Sequence, residues 1–424
     1  MASNVAVIGT GYVGLTTGAC LASIGHDVVC ADIDEEKVRR LNAGEIPILE
    51  DGLELIVREA VREGRLRFVV GAASAVVDRE FVFLCVPTPQ GEDGSADLSY
   101  IEAAAREIAA HLVSDAIVIN KSTVPVGSTR VVERALKRGD ISVVSNPEFL
   151  REGSAVHDFL HPDRVVIGAD DQAAAIRVAS LYLGLAAPLM VTDPASAETI
   201  KYASNAFLAT KISFVNAIAA VCEAVGADVA DVVLGMGYDK RIGQEFLRPG
   251  PGWGGSCFPK DSHALIRIAE DAGYDFRLLR GVVDVNDQQF ERVVDKVVDA
   301  VGGSVEGVRI GAWGLTFKAR TDDTRDSPAI EIIHRLQARG AKVVAFDPAV
   351  DSDIAGIEVA ADPYVACEGA EALVVLTEWD DFKWYDLDRV AEQMASPRVV
   401  DARNLLDRAR LRNAGFAYQG IGRS

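Results

Sequence analysis

The chain carries two rhythms of apolar and polar positions. Short apolar runs at Val5–Ile8, Asp27–Ala31, Phe81–Val86, Ala116–Asn120, Ser142–Ser145 and Arg164–Ile167 are separated by longer stretches of helical periodicity, such as Tyr100–Leu112. Such alternation predicts buried parallel strands joined by crossover helices. From Pro194 the rhythm changes. Ala197 to Val225 holds no Gly or Pro, is rich in Ala and is apolar on more than one face, which predicts one long helix covered by other elements or by a second subunit. Helical stretches continue to about Ala300, and Val301-Gly302-Gly303-Ser304 reads as a turn. The strand–helix rhythm then restarts at Val308–Ala312, with a helix from Pro328 and strands at Lys342–Phe346, Ala372–Leu376 and Arg398–Val400.

The first strand runs into Gly9-Thr10-Gly11-Tyr12-Val13-Gly14, a GxGxxG between a strand and a helix. Gly9 permits a tight turn, Gly11 lets backbone approach a pyrophosphate, and Gly14 lets helix pack on strand. The helix N-terminus then turns its unpaired N–H groups and positive dipole end towards phosphate. Asp32 ends the next strand, at the distance expected for an acid that accepts from a ribose 2′-OH and repels a 2′-phosphate. These residues point to NAD rather than NADP. The expected fold class is α/β: two Rossmann-like, doubly wound parallel-sheet domains joined by a central helical domain with one long helix. The boundaries are 1–193 for the NAD-binding part, 194–300 for a helical part and 301–424 for a second α/β part.

Two further stretches carry chemistry. Pro249-Gly250-Pro251-Gly252-Trp253-Gly254-Gly255-Ser256-Cys257-Phe258-Pro259-Lys260-Asp261 has four glycines and three prolines, the mark of a shaped loop. Cys257 lies just ahead of a helix expected to start near Asp261, and Lys260 with a helix N-terminus favours a thiolate. A cysteine by itself is more often a small buried hydrophobe. On the long helix Lys201 and Asn205 share a face, and Asn216 returns to it three turns on. Such a polar stripe is either a solvated edge or buried hydrogen-bond network, or a set of donors for an oxyanion.

Composition narrows the class. Apolar residues make up 49% and charged residues 25%, an ordinary globular balance. The formal charge of −20 argues against nucleic acid or an anionic membrane as partner. The first strand follows the initiator directly with no basic leader, and the apolar run Ala206–Val221 carries Lys211 and reads as a buried helix, so a cytoplasmic location is expected. The six cysteines show no CxxC pair, which fits a reducing compartment. His157 and His161 are four apart, but Pro162 ends that helix, no third ligand is evident, and no metal is expected. Gly311 to Lys318 follows a strand, and Ser327-Pro328 reads as an N-cap with Pro at N1, so Lys318 and Arg325 stand near a second phosphate-binding helix start. Trp379 and Trp384 read as core or edge packing.

At this point a resemblance becomes specific. The ordered motifs are the loop from Gly9, Asp32-Ile33-Asp34-Glu35-Glu36-Lys37, Cys85-Val86-Pro87-Thr88-Pro89, Lys121-Ser122-Thr123-Val124-Pro125, and Ser145-Asn146-Pro147-Glu148-Phe149-Leu150-Arg151-Glu152-Gly153. They continue with Lys201-Tyr202 and Asn205, Lys211-Ile212-Ser213-Phe214, Gly254 to Asp261, Phe317-Lys318, Thr321 to Arg325 and Thr377-Glu378-Trp379. Over nearly its whole length the chain resembles the UDP-glucose/GDP-mannose dehydrogenase family, which oxidises a sugar alcohol to an acid in two steps.

The resemblance implies UDP-glucose as substrate, NAD as cofactor, a homodimer through the central helical domain at 194–300 and a UDP-sugar-binding Rossmann-like domain at 301–424. It implies Cys257 as the nucleophile, forming a thiohemiacetal and then a thioester. Lys201 would be the donor to the developing oxyanion, and Asp261 would hold the catalytic water with Lys201. Glu148 would be acid/base in hydrolysis, Thr123 would position water, and Asn205 would complete the catalytic group. It implies cofactor contacts from Gly9, Gly11, Tyr12, Val13, Gly14, Asp32, Lys37, Val86, Pro87, Thr88, Ser122, Thr123, Glu152, Lys260 and Arg325. Substrate contacts are implied for Glu148, Phe149, Leu150, Glu152, Lys201, Asn205, Arg248, Gly254, Phe317, Lys318 and Arg403. Arg241 would reach a neighbouring subunit's substrate. Where the family often has Asn-Glu, this chain has Asn216-Ala217. The alternatives are a sister enzyme acting on GDP-mannose or a UDP-N-acetylhexosamine, a one-hydride β-hydroxyacid dehydrogenase, which needs neither Cys257 nor a third domain, and an NAD-binding protein without chemistry.

Overall fold

The computed structural model describes residues 2–89, 91 and 96–423. The chain divides into two compact units, Met1–Ser204 with His263–Gly273, and Asn205–Ser262 with Tyr274–Ser424.

The first unit is built on an eight-stranded sheet in the order β3-β2-β1-β4-β5-β6-β7-β8. Its strands are β1 Asn4–Ile8, β2 Asp27–Asp32, β3 Leu66–Val70, β4 Phe81–Leu84, β5 Ile117–Asn120, β6 Ser142–Ser145, β7 Val165–Gly168 and β8 Leu189–Thr192. β6 meets β7 antiparallel at Ser145↔Gly168, and the other neighbours run parallel. Side chains alternate between two buried layers. Val5, Val7, Cys30, Phe83 and Ile119 face one, while Ala6, Ile8, Val29, Leu84 and Val118 face the other. Both faces being covered explains why these strands read as continuous apolar runs. The strand order reverses between β1 and β4, the place where an open α/β sheet leaves a crevice at its strand ends.

The second unit holds a six-stranded parallel sheet in the order β11-β10-β9-β12-β13-β14. The ranges are β9 Arg309–Trp313, β10 Lys342–Phe346, β11 Glu358–Val359, β12 Ala372–Val375, β13 Arg398–Asp401 and β14 Ala417–Gly420. Its opening copies the first sheet. Gly9 N–H donates to Ala31 O at 2.8 Å, and Gly314 N–H donates to Phe346 O at 2.8 Å. Thr10 donates its N–H (3.0 Å) and hydroxyl (2.6 Å) to Asp32, and Thr316 donates its N–H (3.0 Å) and hydroxyl (3.1 Å) to Asp347. The two diverge at the acid. Asp347 is buried and also accepts from Leu315 N–H (2.7 Å) and Trp379 Nε1 (3.1 Å).

The long helix runs Pro194–Val225, and the division between the units falls inside it. Asp193 starts it, accepting from Ser196 N–H at 2.8 Å, with Pro194 just inside, where its missing N–H is not needed. Gly226, in the left-handed region (φ 74), ends it, and Ala227 N–H returns to Cys222 O at 2.9 Å. It is long and apolar enough to cross a membrane. Within the chain it is covered on one side only: Tyr202, Ala206, Ala209, Val215, Ala219 and Cys222 are buried, while Phe207, Phe214, Val221 and Val225 are exposed. The expectation that it is buried is therefore met on one face.

The predicted strands are all present, with ends shifted by one or two residues. Four strands went unread, β3, β8, β11 and β14, and these are the four edges of the two sheets. The helix after Cys257 begins at Phe258, three residues before the expected start, because Pro259 is tolerated in a first helical turn. Trp379 is buried as expected, but Trp384 is exposed and packs in no core.

Trp313 closes the core of the second sheet. It is fully buried, its ring lies 5.3 Å from Phe382 and 5.4 Å from Tyr385, and its Nε1 donates to Pro363 O at 3.0 Å. Trp313→Ala is expected to cost about 3–5 kcal/mol. Chemical denaturation followed by circular dichroism should show a clear fall in the midpoint of the second unit's transition.

Candidate active site

In the first unit the glycine loop has the shape its sequence requires. A Cβ on Gly9 would lie 2.5 Å from Cys85 O, and one on Gly14 would lie 1.9 Å from Gly9 O, so turn and helix pack backbone to backbone. Nothing lies within 4 Å of the place a Gly11 side chain would take, which leaves the room a dinucleotide's phosphates need. Tyr12 and Val13 open the helix beside it. Asp32 stands at the end of β2, with Lys37 Nζ 3.2 Å from Oδ2. Partial burial pulls its pKa up, but the hydrogen bonds from Thr10 and Asp34 and the Lys37 charge outweigh that and hold it below the usual carboxylate range. It is an ionised acceptor at neutral pH. The loops after β4 and β5 are tied together. Ser122 Oγ donates to Val86 O at 2.7 Å, and Thr88 Oγ1 donates to Thr123 O at 2.9 Å. Pro87 is exposed between them.

The segment after β6 carries the acid. Glu148 is buried, with Oε1 accepting from Lys201 Nζ at 2.7 Å and Oε2 from Leu150 N–H at 2.6 Å. Burial pushes its pKa up, but the Lys201 pair, the Leu150 N–H and the more distant Lys121 charge together bring it below the ordinary value. Phe149 lies beneath two cations, Arg164 at 3.7 Å and Lys201 at 5.6 Å from its ring centre. Glu152 is half-buried on the same segment, next to the Arg151–Asp158 pair.

In the second unit the cysteine loop is braced from below. Asn216 Oδ1 accepts from Gly250 N–H (2.8 Å), Gln289 Nε2 donates to Gly250 O (2.7 Å), and Asn286 holds both N–H and C=O of Trp253 (2.8 and 2.9 Å). Asn216 thus belongs to a buried structural network. A Cβ on Gly254 would meet Asp326 O at 1.9 Å, and one on Gly255 would meet the Phe317 ring at 2.7 Å. Cys257 sits at the helix N-terminus, its carbonyl accepting from Asp261 N–H at 2.9 Å. Of the six cysteines, all described, it is the one not buried. The Asp261 carboxylate is fully buried and takes Asn205 Nδ2 at 2.6 Å and Lys260 Nζ at 3.0 Å. Lys260 therefore directs its charge at Asp261.

Arg403 is half-buried, donating to Leu376 O (2.8 Å) and Phe317 O (3.2 Å) and pairing with Glu378 at 3.0 Å. Lys318 Nζ lies 5.5 Å from the Phe317 ring centre. Arg325 pairs with Asp323, its Nε 2.9 Å from Oδ1. Arg241 is exposed and paired with Asp239, and Arg248 is exposed. The second unit thus brings the cysteine loop together with Phe317 and Arg403. The first brings the glycine loop, Asp32 and the Glu148–Lys201 pair into one fold.

Three family models cover the chain in succession: the NAD binding domain of the UDP-glucose/GDP-mannose dehydrogenase family over residues 3–186, its central domain over 195–288, and its UDP binding domain over 311–408. The chain belongs to this family. NAD is its cofactor, and the UDP-glucose/GDP-mannose dehydrogenases are its relatives throughout. The UDP-glucose 6-dehydrogenase of Rhizobium meliloti (strain 1021) is 48% identical over 99% of both chains. A UDP-glucose 6-dehydrogenase of Bacillus subtilis (strain 168) is 46% identical, over 99% of this chain and 93% of its own. A solved UDP-glucose dehydrogenase from the archaeon Pyrobaculum islandicum has a TM-score of 0.92 at 38% identity, covering 100% of this chain and 98% of that one. A UDP-D-ManNAc dehydrogenase from Pyrococcus horikoshii has a TM-score of 0.88 at 28% identity over 99% of both chains.

Lys121 stands in the Lys121–Pro125 motif with no role assigned from the sequence. The structure buries it between Asn146 and Tyr182, behind Glu148. The available signal was a lysine at the end of an otherwise apolar strand.

The Asp32 geometry makes a direct prediction. Asp32→Ala removes the carboxylate that would repel a 2′-phosphate and leaves Lys37 to attract one. The ratio of kcat/KM for NAD to that for NADP should fall by about tenfold or more in this variant. An unchanged ratio in steady-state assays with both cofactors would remove Asp32 from cofactor selection.

Proposed function

We propose that this enzyme oxidises UDP-glucose to UDP-glucuronate with two NAD, through covalent intermediates on Cys257. The observation that carries the reading is Cys257 itself, half-buried where the other cysteines are buried, and set at a helix N-terminus in a braced glycine loop. The nearness of the UDP-glucose relatives, 48% identical against 28% for the N-acetylmannosamine enzyme, favours this substrate over its sisters. The three family models support a division into NAD-binding, central and UDP-binding parts near 1–193, 194–300 and 301–424.

When bound, NAD accepts hydride from C6 of the sugar. The C6 hydroxyl loses its proton as the hydride leaves, and Lys201 stabilises the developing alkoxide. The Cys257 thiolate adds to the resulting aldehyde, giving a thiohemiacetal that cannot diffuse away. With a second NAD bound, that carbon would give up a second hydride and its hydroxyl a proton, leaving a thioester. Water held by Asp261 and Lys201, with Glu148 as base and Thr123 and Asn205 as positioning groups, attacks the thioester and frees the acid and the thiol. Phe149, Leu150, Glu152, Arg248, Gly254, Phe317, Lys318 and Arg403 hold the sugar nucleotide. Val86, Pro87, Thr88, Ser122, Lys260 and Arg325 join the glycine loop and Asp32 around NAD. The protein acts as a soluble cytoplasmic homodimer, with the exposed row Phe207, Phe214, Val221 and Val225 of the long helix against its counterpart and Arg241 reaching the partner's substrate.

Cys257→Ala should form no adduct and yield no acid, whereas Cys257→Ser should add to the aldehyde and stall as an ester. Mass spectrometry of the Ser variant incubated with UDP-glucose and NAD should show a covalent sugar nucleotide. Two NADH per UDP-glucose from the Ala variant would end the covalent reading. For the assembly, Phe207→Asp with Phe214→Asp should convert the dimer to monomer by light scattering. A dimer that persists would place the interface elsewhere.

A further inference from the structure

Behind the Glu148–Lys201 pair lies a second buried lysine. Lys121 follows β5, is buried, and donates from Nζ to Asn146 Oδ1 at 3.1 Å. Asn146 is held from three sides: its Oδ1 also accepts from the Tyr182 hydroxyl, and its Nδ2 donates to Val166 O at 2.8 Å. Tyr182 further presents its ring to Lys121, whose Nζ is 5.8 Å from the centroid. Asn146 is two residues before Glu148 on the segment leaving β6, so whatever fixes Asn146 fixes the approach of Glu148 to Lys201.

The direct acceptor of Lys121 is a neutral amide. A buried ammonium without a carboxylate in contact is costly, and chains keep such groups where their field has a use. The ionisable groups facing it are Glu148, Cys85 and Lys201, with Tyr182 beside them. Burial draws the Lys121 pKa down to about 8, with the Lys201 charge acting the same way and the Glu148 carboxylate against it. The Cys85 thiol is pushed up to about 12, chiefly by burial, so it stays neutral and offers no countercharge. Below about 8, therefore, two ammonium groups face one carboxylate.

We infer that Lys121 is a positioning residue of the reaction centre: through Asn146 it fixes the segment carrying Glu148, and through its charge it keeps Glu148 ionised and ready to accept a proton from water. This rests on the assignment of Glu148 as the base of hydrolysis. Loss of the Lys121 charge removes a stabilising cation from the Glu148 carboxylate. The pKa of Glu148 then rises, and the base is lost at a higher pH than in the parent enzyme. A lysine that merely filled space would leave the titration of Glu148 where it is.

The test is the acid limb of kcat, measured with saturating UDP-glucose and NAD, in Lys121→Met and Lys121→Gln. Met keeps the length and removes the charge. Gln removes the charge but keeps a donor for Asn146, and serves if the Met variant does not fold. The inference expects the half-maximal pH of the acid limb to move up by about half a unit or more in the folded variants, with NAD binding retained. An acid limb that stays in place in a folded neutral variant overturns it. Glu148→Gln and Lys201→Met, run alongside, separate the two layers. Parental turnover in both would overturn the reaction assigned to the site, whereas their failure with an unmoved limb in the Lys121 variants overturns the Lys121 inference alone.

Discussion

The first unit is organised around the buried ion pair of Lys201 and Glu148. Moving an ammonium and a carboxylate out of water costs several kcal/mol for each, and their attraction repays it only when the remaining donors and acceptors are also satisfied. Here Glu148 Oε2 has the Leu150 N–H and the Lys201 ammonium lies against the Phe149 ring. Deleting either partner strands the other charge, at a cost of about 3–5 kcal/mol. A well-packed apolar pair would serve stability as well. What the apolar pair lacks is a proton that can move, so the arrangement makes sense as chemistry held in place by the fold.

The same economy of charge runs through an acidic chain. Lys37 faces Asp32, Lys260 faces Asp261, Arg325 faces Asp323 and Arg403 faces Glu378. Each cation is already oriented by a carboxylate. A carboxylate beside a guanidinium or an ammonium narrows its rotamers in advance, which reduces the ordering entropy that a further contact would cost.

How far the molecule is legible from sequence follows from where each residue sits. Central strands such as β1 and β4 are covered on both faces and read as plain apolar runs. Edge strands such as β3, with Arg67 in its middle, and β14, with Gln419, are open along one side and lose that signature. The glycine loop was readable because backbone contacts under 3 Å tolerate no Cβ. Lys121 was not, because its meaning depends on Asn146 and Tyr182, which β6 and the segment after the Gln172–Ser180 helix bring to it. A polar residue's partner lies across the fold, and no local spacing announces it. Asn216 teaches the reverse: it shares a helix face with Asn205, yet it braces the loop at Gly250.

The two sheets open with the same turn, threonine and aspartate, but in the second the acid is buried and accepts from the Trp379 indole as well as from Leu315 and Thr316, whereas Asp32 keeps part of its side chain exposed. A ribose arriving at the second turn would find its acceptor covered. Of the two turns, the first is the one that leaves its acid within reach of a ribose. The proposed reaction, which withdraws two hydrides, would then empty and refill that turn in mid-course, while the half-oxidised sugar stays behind. Turnover becomes a matter of residence times. The carbon intermediate of the proposed reaction would have to outlast a cofactor exchange at the first turn, because the Trp379 indole sits on the acid of the second.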